Sequence, residues 1–236
     1  MTILLHVMTS FLSLLILIEL FQFSNASMLY QRESFTWRAS LDSSTAIASS
    51  IEQSIFSPKK DVILPSNSDI NKFVQNEFCN YPRFLEKGSL TLGLCRVLSS
   101  SDRDSCNLRT SIFSINILTF GQPRVMKRNK KETICSVQIP IVGGLLAVIN
   151  SSSTDHGRLS FTWLQETKSK CNRPTITLVT QIEGKYQPTL AGRMIPVHWW
   201  RNTLYSATQR MFHELVMWRY HGYVLKNFER QYLYHK

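Results

Sequence analysis

The sequence predicts an α+β protein in which a curved antiparallel sheet of about six or seven strands is covered by one long C-terminal helix. Two observations carry that prediction. Between Ser89 and Glu183, apolar and polar residues alternate in successive short runs separated by turn residues, the pattern of antiparallel strands. From Trp199 to Arg230 there is no proline and one glycine. On a helical wheel Leu204, Ala207, Thr208, Met211, Leu215, Trp218, Gly222 and Leu225 of that stretch share one stripe, which Tyr205, Phe212, Val216 and Tyr223 widen. About thirty residues at 1.5 Å each give roughly 45 Å of helix. A helix of that length after a run of strands needs a broad apolar surface to lie against.

The first segment, residues 1 to 26, reads as a signal peptide. Phe11 to Phe23 is an apolar run, and Ser24-Asn25-Ala26 supplies small residues for cleavage. Thr2 to Phe23 taken together is also long enough for a membrane anchor. Residues 27 to 57 are rich in Ser and Thr without a strong period, as in a flexible linker or a plastid transit segment. The compartments implied are the secretory pathway, the plastid through a bipartite leader, or a membrane.

The folded domain is expected over residues 58 to 236. Asp61 to Leu64, stopped by Pro65, is a short strand. Ser66 to Asp69 offers helix-capping side chains, and Ile70, Phe73, Val74 and Phe78 then recur at helical spacing up to Cys79. Asn80-Tyr81-Pro82 ends that helix, and Arg83 to Lys87 makes a poor second one. Strands are predicted at Ser89 to Leu98, Ser111 to Gly121, Thr133 to Pro140, Leu145 to Ile149, Arg158 to Glu166 and Thr175 to Glu183. Polar connections join them.

This order of strand, helix, about six strands and long helix resembles the START-like helix-grip superfamily, which includes polyketide cyclase-type proteins, lipid-transfer START domains and the birch-pollen allergen family. The resemblance lies in element order over Asp61 to Arg230; no subfamily motif is matched, and no catalytic residue carries across. The family has two helices after its first strand, and the sequence offers one clear helix there. The resemblance implies binding of a hydrophobic small molecule or lipid in a pocket between sheet and C-terminal helix. Its alternatives are a cyclase- or hydratase-type enzyme on the same scaffold and an assembly factor whose groove is filled by side chains. Acids or histidines clustered inside the pocket would favour the enzyme.

Within that frame Arg219 is the candidate anchor. It falls inside the apolar arc, where it would snorkel to an edge, pair with Glu166 or Glu183, or hold the acidic or carbonyl end of an apolar ligand. Met211, Phe212, Leu215 and Trp218 would contact the ligand body. His213 and His221 read as surface or cap histidines, since metal binding would need a third ligand and closer registration. No cofactor and no metal is expected. Catalytic residues are not identifiable: there is no nucleophile elbow, phosphate-binding glycine loop or dinucleotide fingerprint.

Composition adds a partner class. Lys plus Arg number 27 against 16 Asp plus Glu, a net charge of +11, which suits anionic surfaces. Arg124, Lys127, Arg128, Lys130 and Lys131 cluster in one connection and form a candidate contact for an anionic membrane. Nucleic acid is not expected, because no aromatic residues interleave with those charges. The five cysteines have no metal-ligand spacing and an odd count, so they make no disulfide framework and read mostly as buried free thiols. Cys95 and Cys106 are the closest pair in sequence for the one bridge an oxidising compartment would allow.

Overall fold

The computed structural model describes residues 29–59, 61–87, 95–99, 105–110, 115–126, 133–147, 157–168, 173–189, 191 and 195–233. The segment expected as a signal peptide lies outside them. The element order is β1 (Tyr30–Leu41), β2 (Ala48–Pro58), α1 (Asn67–Cys79), α2 (Tyr81–Lys87), β3 (Cys95–Ser99), β4 (Ser105–Thr110), β5 (Asn116–Gly121), β6 (Arg124–Val125), β7 (Thr133–Gly143), β8 (Gly157–Lys168), β9 (Arg173–Glu183), α3 (Trp199–Tyr205), a π turn (Ser206–Arg210) and α4 (Met211–Tyr232). The fold is α+β: one open antiparallel sheet, ordered β1-β2-β9-β8-β7-β5-β4-β3 with β6 on β7, and a C-terminal helix.

The strand count exceeds the six or seven expected, and the excess has particular sources. Residues 30 to 58, almost all within the expected linker, form a long hairpin in which β2 pairs with β9. The segment from Ser99 to Asn107, expected as a connection, contributes to β4, and the basic connection contributes the two-residue β6. Conversely, Asp61 to Leu64 is not a strand, and Leu145-Leu146 is a turn followed by an isolated bridge at Ala147. The second helix exists: Pro82 sits at the start of α2, where its missing N–H costs nothing. In the β3–β4 ladder Cys106 lies opposite Ser99, while Cys95 lies opposite Thr110. Cys106 is a free thiol, so the suggested bridge does not form.

Register aligns residues in rows across one face of the sheet. One row is Trp37, Glu52, Thr180, Phe161 and Val137; the next is Phe35, Ser54, Leu178, Trp163 and Cys135. Directly opposed residues share a face because side chains alternate along each strand. Against this face pack α1, α2 and α4, and Phe73, Phe78, Phe161, Trp163, Tyr220 and Phe228 join a single core. Ser66 caps α1: its hydroxyl accepts from the Asp69 N–H at 3.2 Å. Ser66→Ala is expected to cost about 1 kcal/mol, the usual worth of such a cap, read as a shift in the urea midpoint.

The long helical stretch departs from expectation in its rotation. Its buried residues include Val216, Met217, Tyr220, His221, Val224, Leu225 and Phe228, whereas Met211 is exposed and Leu215 and Trp218 are half-buried. The core-facing stripe therefore lies about a third of a turn from the one read on the wheel, a displacement of roughly one residue at 100° each. The stretch is also interrupted by the π turn, a feature that widens the helix locally.

Candidate functional site

A cavity of about 270 Å³ lies between the sheet and the C-terminal helix. Its walls are chiefly apolar. The sheet side supplies Trp37, Ala39, Ala48, Leu108, Ile117, Leu118 and Ile182; α2 supplies Tyr81, Phe84 and Leu85; the helix side supplies Tyr205, Phe212 and Val216. The π turn delivers Gln209 and Arg210 to the same wall.

The polar groups are few and concentrated. Glu52, in the middle of β2, and His213, in the first turn of α4, both line the cavity. Glu52 Oε2 stands 3.4 Å from His213 Nε2, and their side chains are 2% and 20% exposed. Glu214, also on the wall, has its carboxyl pKa raised by burial, against the pull of the Arg210 cation. The Tyr205 phenol is pushed up to about 12, mainly by burial, with the Arg210 cation pulling it down and the Glu52 charge adding a smaller push up. Burial and the same carboxylate raise Tyr81 as well. Both phenols are neutral donors at any ordinary pH. Elsewhere on the wall, the Tyr186 hydroxyl donates to the Leu146 carbonyl at 3.1 Å, and the Gln209 amide donates to the same carbonyl at 3.0 Å. The Arg210 guanidinium lies 4.3 Å from the Trp37 ring centroid and packs helix against β1 through that face.

Of the five residues expected to bind ligand, the structure brings only Phe212 to the cavity wall. Met211, Leu215, Trp218 and Arg219 are not among its lining residues, because the helix presents a different stripe to the sheet. Arg219 is buried at 4% exposure, and burial lowers its guanidinium pKa to about 10. Trp218 instead packs at the outer hairpin: the Arg32 guanidinium lies 4.7 Å from its ring centroid and donates to its carbonyl at 2.6 Å. Gly222 leaves room for that arrangement, since a Cβ there would sit 3.2 Å from Arg32 Nη2. Of the basic cluster, Arg124 is exposed on β6, while Lys127, Arg128, Lys130 and Lys131 lie outside the described residues.

The two helix histidines correct the surface reading. His213 faces the cavity. His221 is buried, with Ser54 Oγ 2.8 Å from Nδ1 and Thr180 Oγ1 2.8 Å from Nε2. Glu52 escapes notice in the sequence, since its strand reads there as a linker. The available signal is the alternation of Ile51 and Ile55 with Glu52, Ser54 and Phe56.

No protein-family model matches the chain, and no curated protein matches it. Among solved structures, an uncharacterised protein from Bacillus thuringiensis is similar at 12% identity, over 78% of this chain and 97% of that one, with a TM-score of 0.29. A likeness that distant carries no argument about function. Among the described residues no group of His, Cys, Asp and Glu could hold a metal ion, and no helix is long and apolar enough to cross a membrane.

Proposed function

We propose that this protein binds a hydrophobic small molecule or lipid in the cavity between its sheet and its C-terminal helix, in the manner of START-like helix-grip proteins. The observation that supports this reading is the cavity itself: apolar walls drawn from sheet and helices, with a small number of convergent polar groups, are the usual character of a small-molecule site. Its volume suits a compact ligand. An anionic membrane is the proposed source or destination, met by Arg124 with the exposed Val125 and Met126 beside it. A leader of the secretory or bipartite type would carry the protein to such a surface.

The test uses 1-anilinonaphthalene-8-sulfonate, whose fluorescence rises in apolar sites, and the variant Leu118→Trp, which fills the cavity from β5. The dye is expected to bind the unaltered protein, and the variant to weaken it at least tenfold. Equal binding by both would place the dye elsewhere, and no binding by either would remove the carrier reading.

A second reading, a cyclase- or hydratase-type enzyme on the same scaffold, has one observation in its favour. Glu52 and His213 face one cavity, and a carboxylate beside an imidazole is a proton-transfer pair. Mass spectrometry of ligands recovered after incubation separates the two: altered ligand selects the enzyme, unaltered ligand the carrier.

A further inference from the structure

We infer that the Glu52–His213 pair recognises a hydroxyl group on the apolar molecule held in the cavity, the hydroxyl donating to Glu52 Oε2 and accepting from His213 Nε2. This rests on the reading of the cavity as a ligand site, and it names the ligand class: compact alcohols, in preference to carboxylates, ethers and plain hydrocarbons.

The pair is incomplete as it stands. Glu52 Oε2 and His213 Nε2 are each buried and make no hydrogen bond among the described residues. Their 3.4 Å separation is longer than the roughly 2.7–2.9 Å of a charge-assisted N–H···O bond. A buried carboxylate oxygen without a hydrogen bond is costly, and an apolar residue of similar volume would serve the fold better. Trp37 lies opposite Glu52 on β1, and Phe84, Phe212 and Val216 add apolar surface to the same wall, while Tyr81 and Tyr205 stand close enough to feel the Glu52 charge.

A hydroxyl supplies what both atoms lack, because it is donor and acceptor at once. An oxygen about 2.8 Å from each, the ordinary hydrogen-bond distance, forms a triangle on the 3.4 Å base. The molecule's carbon body then lies along Leu118, Ile117 and Val216. A carboxylate would meet the charge of Glu52 at short range. An ether of the same size accepts from His213 and leaves Oε2 bare. A hydrocarbon leaves both atoms bare.

The experiment compares 1-octanol, its isomer 1-methoxyheptane, and octanoate by titration calorimetry on the full chain at pH 7. Octanol is expected to bind at least tenfold more tightly than either, as befits one hydrogen bond to a charged group. Glu52→Leu should bring octanol and the ether within about twofold of each other. Should that variant not fold, Glu52→Gln, which keeps the shape and drops the charge, should reduce the preference several-fold. Equal binding of the two isomers by the unaltered protein would overturn the inference and leave the cavity reading intact. A preference that survives both substitutions would place the hydroxyl site elsewhere and overturn it too. Failure of all three molecules and of the anilinonaphthalene dye would remove the cavity reading itself.

Discussion

Phe228→Ala should lower the stability of the protein by about 3–5 kcal/mol, the range for truncating a fully buried aromatic side chain. Phe228 has no exposed surface. Its ring lies 5.6 Å from that of Phe73 on α1, 5.2 Å from Trp163 on β8 and 5.6 Å from Tyr232 on its own helix. It is therefore where helix, sheet and the first helical layer meet, and none of those rings can collapse into the vacated space without leaving another partner. The measurement is urea unfolding followed by circular dichroism and tryptophan fluorescence. Trp218→Ala is the comparison: it removes a half-buried indole and the cation–π contact to Arg32, and should cost less. An equal or larger loss at Trp218 would mean that the helix presents to the sheet the stripe read from its sequence.

The contrast between Phe228 and Trp218 marks the border of what the sequence discloses. Strands β7, β8 and β9 are legible because Val137, Ile139, Leu159, Phe161, Trp163, Ile176 and Leu178 alternate with polar residues and all turn to the core. The helix is legible as a helix, and its facing is not. A helical wheel assigns the core to whichever side is richest in apolar residues. Here the face of α4 over β2 and β9 carries His213 and His221, which β2 answers with Glu52 and Ser54 and β9 with Thr180, and Glu229 follows further along the helix beside the start of β1. Glu229 Oε1 accepts from the Tyr30 N–H at 2.9 Å and from the Leu29 N–H at 3.3 Å, fastening the start of β1 to the helix.

Two polar surfaces mated in this way each look like solvent-facing surface when read alone. For that reason the hairpin resembles a linker in sequence, and the wheel points to the wrong stripe of the helix. The cavity inherits both errors, since β2 and the polar edge of α4 are its polar wall. Pairings between polar residues more than a hundred positions apart leave no local period. The π turn is likewise invisible to a wheel drawn at constant pitch, although it sets the register of everything after Arg210.

Acidification from pH 7 to pH 5 should cost about 2 kcal/mol through His221 alone. Its imidazole pKa falls from 6.5 to about 3 in the folded chain, first through burial and then through the positive charges of Arg32 and His213. The hydrogen bonds do not set this preference. Ser54 and Thr180 present hydroxyls, which accept as readily as they donate, so either protonation state of the ring finds partners. The edge of Phe35, 6.4 Å away between centroids, closes the third side with an apolar ring. Because the folded pKa is depressed below the unfolded value, the unfolded chain binds the extra proton between about pH 6.5 and pH 3. Stability is therefore full above about pH 6.5 and falls through that window by up to about 1.4 kcal/mol per pH unit. Carboxyls raised by burial, Glu77 and Glu214, act in the opposite sense near their own titration, so total stability does not isolate the histidine. The difference between the unaltered protein and His221→Gln does. The glutamine amide can still bridge the two hydroxyls but takes up no proton. Urea unfolding of both at pH 7, 6 and 5 should show the gap between them closing by about 2 kcal/mol toward acid. A gap that stays constant over that range would mean that His221 is protonated or solvated in the folded protein, and that the polar seam between β2, β9 and α4 admits water.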